Sequence, residues 1–222
     1  MPKPATADAL PLLYSYRRCP YAMRARMALL QAGRKFQAFE IVLRDKPAAL
    51  VALSTKATVP VLRLPDGHVL EESLDIMAWA FEANDPVGWW HRAQSADNVE
   101  LLRLNDGTFK HHLDRYKYPQ RFPQDTDTRE VHRAQAMAAL LAPLEGRLQR
   151  ESFLGGTTAC AADMAIFPFV RQFAGVEPAW FAEQRLPALQ AWLSNWSSSA
   201  LFMTCMRKIP TQTMVDFPAL TA

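Results

Sequence analysis

Residues 12–30 read LLYSYRRCPYAMRARMALL, and this stretch decides the fold of the chain. Its first five residues are mostly apolar or aromatic, which predicts a short buried strand over Leu12–Tyr16. The residues after Pro20 are strong helix formers, and proline suits a first helical turn because its fixed φ fits and its missing N–H needs no partner there. We therefore expect Cys19 at the start of a helix that follows a strand.

The predicted position of Cys19 is typical of a reactive thiol. Backbone N–H groups and the dipole at a helix start favour an anion, and thiolates placed there can have pKa values as low as about 3.5–7.5. Four arginines that are close in sequence add positive charge: Arg17, Arg18, Arg24 and Arg26. The alternative is a small buried hydrophobic residue, as many cysteines are. We predict the reactive thiol.

Composition narrows the class of protein. The chain has 222 residues, a hydrophobic fraction of 50% and a net charge of +3, with its Lys and Arg residues scattered. Cys19, Cys160 and Cys205 lie far apart and have neither disulfide nor metal spacing. The first residues lack an apolar signal core, and no apolar run approaches the roughly 20 residues of a membrane span. We expect a cytoplasmic protein without a metal, a nucleic-acid partner or a membrane partner.

The first part of the chain predicts an α/β unit over residues 10–84. A second strand over Phe36–Leu43 follows the first helix closely, which implies a parallel pair with a right-handed crossover. Residues 59–70 read as a β-hairpin around Pro65-Asp66-Gly67-His68. An amphipathic helix over Leu74–Ala83 completes the unit.

The second part of the chain predicts an all-helical domain over residues 95–222. Strand patterns disappear after Ser95, and apolar residues recur at helical spacing. The predicted helices span residues 95–116, 128–150, 161–174 and 186–196. Pro143 is expected to interrupt the second of these helices, and the very apolar third is expected to be central.

These motifs, in this order, resemble the cytosolic glutathione transferase family, and in particular its cysteine-type, omega-like branch. Cys19-Pro20-Tyr21-Ala22 resembles the active-site motif of that branch, and Val59-Pro60 resembles the cis-proline element. Glu72-Ser73 resembles the pair that holds the γ-glutamyl end of glutathione. Lys46 resembles the lysine at the glycyl end, and Asp163 resembles the aspartate that caps the core helix.

The resemblance implies a thioredoxin-like domain followed by a helical domain, and glutathione as cosubstrate. It implies an enzyme of the thioltransferase or dehydroascorbate reductase type, with Cys19 as nucleophile. Ala22 stands where a dithiol enzyme has its second cysteine. The acceptor, a small molecule or a glutathionylated compound, is expected at Tyr21, Lys110 and Tyr116. The family also implies a homodimer, for which the apolar residues Met77, Trp79 and Phe81 offer support.

Physical arguments for glutathione binding stand beside the resemblance. The backbone of Val59, before a cis-proline, can pair with a cysteinyl backbone as an added strand would. Ser73 is expected to cap the following helix, where its hydroxyl also suits a carboxylate ligand. Glu72 would face the ammonium group of the ligand, and we expect Glu71 to be the more exposed of the two acids. The alternatives are plain helix capping by Ser73 and a solvated Lys46.

Two other functions stay open at the level of the sequence. One is a conventional conjugating transferase aided by Ser15 or Tyr14, although packing is the better interpretation of Tyr14. The other is a non-catalytic interaction protein of the stringent-starvation type. The charged run over residues 110–118 is either a solvated face or an electropositive wall that attracts anionic acceptors. His111 and His112 diverge by about 100° on a helix, so they cannot share one metal.

Overall fold

The computed structural model describes residues 9–83 and 85–218. These residues divide into two compact units. The first contains residues 9–83, residue 85 and residues 199–218, and the second contains residues 86–198. The segment that begins at Ser199 therefore packs with the first unit, whereas the sequence predicted it within a helical domain over 95–222.

The first unit is built on a mixed sheet with the strand order β4-β3-β1-β2-β5. The strands are β1 (Leu12–Ser15), β2 (Gln37–Glu40), β3 (Val61–Arg63), β4 (Val69–Leu70) and β5 (Met214–Asp216). β1 and β2 are parallel, as predicted, and β3 and β4 form the predicted antiparallel hairpin. β1 pairs antiparallel with β3, which brings the hairpin next to the first strand.

β5 is the strand that sequence reasoning missed. It pairs antiparallel with β2 at the edge of the sheet and has only three residues, too few to show an alternating pattern. The buried Phe217 follows it and stacks on Phe36, with ring centroids 5.0 Å apart. This contact joins residues that are far apart in the sequence, so local periodicity does not reveal it.

The helices in the described part of the chain are too short or too polar to cross a membrane. Those of the first unit are α1 (Pro20–Gln31), α2 (Ala48–Leu53), α3 (Ser73–Glu82) and α12 (Ala200–Cys205). Those of the second unit are α4 (Trp89–Ala93), α5 (Ala96–Leu104), α6 (Lys110–Lys117), α7 (Arg129–Ala136), α8 (Ala142–Leu148), α9 (Ala161–Ala174), α10 (Pro178–Ala182) and α11 (Pro187–Ser198).

α1 begins at Pro20, as the sequence predicted, and ends before Gly33. Cys19 is its N-cap residue with an extended backbone, and Pro20 takes the first helical position. At the other end, Gly33 has a φ of 66°, a conformation that glycine adopts without steric cost. The N–H of Gly33 donates to the Leu30 carbonyl and the N–H of Arg34 donates to the Leu29 carbonyl, so that the last turn is satisfied.

In the second unit, two pairs of consecutive α-helices are each joined without a break by a π-helical turn. Asn105–Phe109 joins α5 to α6, and Met137–Leu141 joins α7 to α8. The second π turn directly precedes Pro143, which lacks an N–H and crowds the carbonyl four residues before it. The predicted interruption at Pro143 is therefore confirmed, as a widened turn.

The inward face of α7 differs from the predicted one. The helical spacing of the apolar residues Val131, Ala134 and Ala138 favours an inward face made of them, whereas all three are exposed and His132 and Ala136 are buried. The π turn after Ala136 changes the phase of the helix, so the apolar spacing of α8 does not extend back into α7.

α9 is the central helix of the second unit, as predicted, and most of its side chains are buried. Asp163 lies in its first turn and accepts hydrogen bonds from the backbone N–H groups of Leu154 and Cys160 and from Trp192 Nε1. The hydroxyl of Thr158, in the loop before α9, accepts from Arg92. Asp163 therefore ties the start of α9 to the preceding loop and to α11.

Candidate active site

The side chain of Cys19 lies beside the residue that precedes Pro60. The Val59–Pro60 peptide bond is cis, and Cys19 Sγ is 3.6 Å from the Val59 carbonyl oxygen, to which the thiol donates. The N–H of Cys19 donates to the Tyr16 carbonyl at 2.9 Å, which closes the turn that leads from β1 into α1. The structure thus brings together three predicted site residues, Cys19, Val59 and Pro60, through two elements distant in sequence.

Arg24 connects the cysteine helix to Ser73. The Arg24 side chain is fully buried, its Nη1 donates to Ser73 Oγ at 3.1 Å, and its guanidinium lies 5.5 Å from the centre of the Tyr21 ring. Ser73 is the first residue of α3 rather than its cap, because Glu72 occupies the N-cap position. In the sequence, Arg24 counts among the positive charges near Cys19. In the structure its side chain is buried and holds Ser73.

Arg26 is also buried, and it holds the turn before Cys19. Its Nε donates to the Cys205 carbonyl at 3.0 Å, its Nη1 donates to Ser15 Oγ and its Nη2 donates to the Arg17 carbonyl at 2.9 Å. Glu40 accepts from the Arg17 N–H at 2.6 Å. Burial raises the pKa of Glu40, while the Arg17 N–H and the charges of Arg26 and Arg17 act against that rise. Sequence reasoning missed this network because nothing local marks an arginine as buried.

The two acidic residues before α3 have opposite exposures to those predicted. Glu71 is half-buried and accepts a hydrogen bond from the buried Ser54 hydroxyl at 2.5 Å. Glu72 has a side chain that is 62% exposed, and it pairs with Lys56 at 2.5 Å. The expectation that Glu71 is the more exposed acid is wrong, because its carboxylate is hydrogen-bonded to the buried Ser54 hydroxyl. Glu72 is the accessible carboxylate.

The remaining predicted residues of the first unit are placed as follows. Lys46 is exposed, on the connection between β2 and α2. Tyr21 is half-buried in the first turn of α1, beside the thiol-bearing cap residue. Met77 and Phe81, named as support for a dimer, are buried within their own unit, and Trp79 lies under Arg34 at 4.6 Å. These three residues therefore give no evidence for an interface.

Tyr116 lies inside the second unit. It is 1% exposed, and its hydroxyl donates to Glu177 at 2.7 Å, next to Arg129 and Arg133, which also pair with Glu177. Burial and the bond to Glu177 raise the pKa of the Tyr116 hydroxyl above its ordinary value. Tyr116 stabilises the packing of the unit, and its burial leaves it without the exposed surface that the expected contact with an acceptor requires.

The charged run over residues 110–118 has less uncompensated positive charge than its sequence indicates. Lys110 pairs with Asp114, one helical turn later, and Arg115 pairs with Asp125 at 2.5 Å. Burial, followed by nearby positive charges, lowers the pKa values of His111 and His112 below their ordinary value. Of the two interpretations left open for residues 110–118, the electropositive wall is weakened, because carboxylates of the same unit pair with Lys110 and Arg115.

The three cysteines, all within the described residues, are reduced and differ in environment. Cys19 is half-buried, whereas Cys160 and Cys205 are buried. Burial raises the pKa of the Cys160 thiol to about 12, so this thiol is protonated at neutral pH. The Cys205 thiol donates to the Met23 carbonyl at 3.6 Å. Cys19 is therefore the most accessible of the three thiols.

The first unit is a thioredoxin-like domain, with its cysteine at the start of the first helix, and the second unit is helical. Family models match both parts of the chain. The model of the glutathione S-transferase N-terminal domain matches residues 13–88, and that of the C-terminal domain matches residues 111–195. The chain belongs to the glutathione S-transferase family.

Relatives and solved structures agree with this placement. Glutathione S-transferase omega-1 of Mus musculus is 34% identical over 71 residues, which cover 32% of this chain and 30% of the mouse protein. A glutathione transferase family member from Pseudomonas fluorescens, solved with two glutathione bound, has a TM-score of 0.73 at 17% identity, over 91% of this chain and 95% of that one. A glutathione transferase from Burkholderia graminis has a TM-score of 0.73 at 20% identity, over 91% and 90% of the chains. These structural matches show a shared glutathione transferase fold.

Proposed function

We propose that this chain is a glutathione-dependent thiol transferase in which Cys19 is the nucleophile. One observation carries the proposal: Cys19 caps α1 with its Sγ 3.6 Å from the carbonyl that precedes cis-Pro60. A thiol at a helix start is favoured as the thiolate. The neighbouring Val59 backbone can pair with the cysteinyl backbone of glutathione, which would bring a glutathionyl sulfur towards Cys19.

The proposed reaction has two exchange steps. The Cys19 thiolate attacks the glutathionyl sulfur of a mixed disulfide, the S–S bond breaks, and the acceptor leaves as a thiolate that takes a proton from water. Cys19 then carries glutathione as a mixed disulfide. A second glutathione thiolate attacks the bound glutathionyl sulfur, which forms oxidised glutathione and releases the Cys19 thiolate. Ala22 cannot act as a resolving thiol, so the second glutathione is required.

Four other residues are proposed to hold glutathione. Ser73 accepts from Arg24, so its hydroxyl proton remains available to the α-carboxylate of the ligand at the start of α3. Glu72 is accessible for the ammonium group, and Lys46 is exposed and available for the glycyl carboxylate. Val59 completes the set through its backbone. Of the proposed acceptor residues, Tyr21 and Lys110 remain candidates, and the homodimer remains a prediction.

The environments of Ser15 and Tyr14 favour the cysteine mechanism over conjugation by a hydroxyl. Ser15 is 1% exposed and its hydroxyl accepts from Arg26, while Tyr14 is buried in the sheet. A hydroxyl that stabilises the thiolate of glutathione must reach the ligand. Neither side chain is accessible to a ligand in this arrangement.

Treatment with oxidised glutathione is expected to add one glutathionyl group to the protein, on Cys19. Cys160 and Cys205 are buried, so neither should react or resolve the adduct. Intact-mass spectrometry before and after added glutathione measures the adduct and its release. As a matched variant, Ala22→Cys should replace the adduct with an internal disulfide, because it places a second thiol in the same turn of helix.

Two results would contradict this monothiol mechanism. One is an internal disulfide between Cys19 and Cys205 or Cys160 in the unsubstituted chain. The other is a glutathionyl adduct that maps to a cysteine other than Cys19 by peptide mass spectrometry. Absence of any adduct at Cys19 would remove the proposed nucleophile.

Glu72→Gln is expected to weaken glutathione binding by about tenfold, because a charge-assisted hydrogen bond to the ligand's ammonium group is lost. Glu71→Gln is the matched control, since its carboxylate is engaged with Ser54 rather than accessible. We expect that control to change the affinity by less than about threefold. Calorimetric titration with glutathione measures both, and equal losses would show that the wrong carboxylate has been chosen.

A further inference from the structure

A cluster of three potential metal ligands lies in the second unit, at the start of α7. Asp125 and Asp127 belong to the loop before α7, and His132 is on its first turns. One ligand atom from each of the three residues lies within 4.8 Å of the others. The sequence indicated no metal site, because these residues have no recognised spacing and the adjacent His111 and His112 diverge.

The ring of His132 brings a buried nitrogen atom into the cluster. Its side chain is 4% exposed, and its Nε2 lies 3.2 Å from Asp125 Oδ2. Nε2 is buried and, among the described residues, has no hydrogen-bond partner of normal geometry. A buried ring nitrogen that lies 3.2 Å from a carboxylate oxygen without a hydrogen bond to it is placed as one of two ligands to a shared cation would be. Neighbouring ligand atoms around a tetrahedral zinc ion are about 3.3 Å apart, given Zn–N and Zn–O distances of about 2.0–2.2 Å.

His132 and Asp125 are each held in place by neighbouring residues outside the proposed ligand set. His132 Nδ1 lies 3.0 Å from His112 Nδ1, which fixes the orientation of the ring. The Asp125 carboxylate accepts from Arg115 Nε at 2.5 Å and from the Asp127 N–H at 3.1 Å. Metal-binding histidines and carboxylates are oriented in this way by their outer neighbours. Asp127 is exposed, so its carboxylate can rotate towards the other two ligands.

We propose that Asp125, Asp127 and His132 bind a divalent first-row transition-metal ion such as Zn²⁺. One imidazole nitrogen and two carboxylates form a three-ligand site, with the fourth position left for water. Arg115 offsets one of the two carboxylate charges, so we expect weaker binding than at thiolate zinc sites. The proposal rests on residues of the helical unit alone and is independent of the chemistry of Cys19.

Calorimetric titration with ZnCl₂ tests the proposal. The Cys19 thiolate can also bind zinc, so the titration uses the full chain carrying Cys19→Ser. We expect one Zn²⁺ per chain. Asp127→Asn should weaken binding by about tenfold or more, since an outer-layer change already costs about 10–100-fold. Asp127 is exposed, so this variant is expected to fold. A substitution of the buried His132 could unfold the chain, and for that reason it is not used.

Glu130→Gln is the matched control, because it removes an exposed carboxylate near the cluster that is not among the three ligands. We expect it to change zinc affinity by less than about twofold. Co²⁺ provides a second readout, since its visible absorption reports nitrogen and oxygen coordination. No saturable zinc binding up to about 1 mM, or equal losses in Asp127→Asn and Glu130→Gln, would overturn the proposal.

Discussion

Cys19→Ser is expected to reduce thiol-transfer turnover to the rate of uncatalysed exchange. Serine cannot form a mixed disulfide, so both exchange steps lose the group that carries glutathione. Reduction of a small glutathione mixed disulfide, coupled to glutathione reductase, measures the loss. The same variant should show no glutathionyl adduct in its intact mass. Its conjugating activity is expected to persist or rise, because a hydroxyl at the start of α1 can donate to the thiolate of glutathione.

Cys160→Ser is the matched control for this experiment. Cys160 is buried and protonated, and it caps α9, where serine is a better cap than cysteine. We expect unchanged turnover and equal or higher thermal stability. Cys19→Ala removes the thiol without introducing a hydroxyl, so comparison with Cys19→Ser shows what the serine hydroxyl contributes. Full thioltransferase activity in Cys19→Ala would rule out Cys19 as the nucleophile and with it the proposed function.

Arg26→Met is expected to lower the stability of the chain more than any other single change considered above. The substitution removes three hydrogen bonds that join the turn before Cys19 to Ser15 and to the end of α12. It also leaves the buried Glu40 without the nearby charge of Arg26. Leaving a buried hydrogen-bonding group without its partner costs about 1–3 kcal/mol, so the loss of these three bonds is expected to cost about 3–5 kcal/mol. In a chain of this size that corresponds to a fall in Tm of about 10 °C.

Glu40 adds a pH dependence to this prediction. Burial raises the pKa of Glu40 in the folded chain above its value in the unfolded chain. A group of this kind contributes stability below its unfolded pKa and loses that contribution as the pH rises through its folded pKa. Without Arg26, the cost of ionising Glu40 increases. The stability deficit of Arg26→Met should therefore be smaller at about pH 5 than at about pH 8.

Thermal unfolding followed by circular dichroism at the two pH values measures both effects. Arg44→Met is the matched control, because it removes an exposed arginine and should change the free energy of unfolding by less than about 0.5 kcal/mol. A fall in Tm for Arg26→Met no larger than that of the control would show that the network does not stabilise the unit. A deficit independent of pH would remove Glu40 from the explanation.

The elements that could be predicted from the sequence are those whose causes are local. Pro20 starts α1 and places Cys19 at its cap, and Gly33 ends that helix, because both residues restrict or permit particular backbone angles. The helix starts at Ser95 and Thr128 also have a local cause, because each hydroxyl accepts from the backbone N–H three residues later, that of Asn98 or Val131. The parallel pair of β1 and β2 followed from their short separation.

The burial of polar side chains, and the partners that they find there, could not be predicted without the folded structure. Arg24 and Arg26 are indistinguishable from surface arginines in the sequence, yet they pair with Ser73 and Ser15 inside the first unit. β5 depends on β2, a strand far away along the chain. Such outcomes depend on contacts between distant segments, and the cost of burying a polar group is offset only when a specific partner arrives there. Periodicity, capping and turn residues carry no information about that partner.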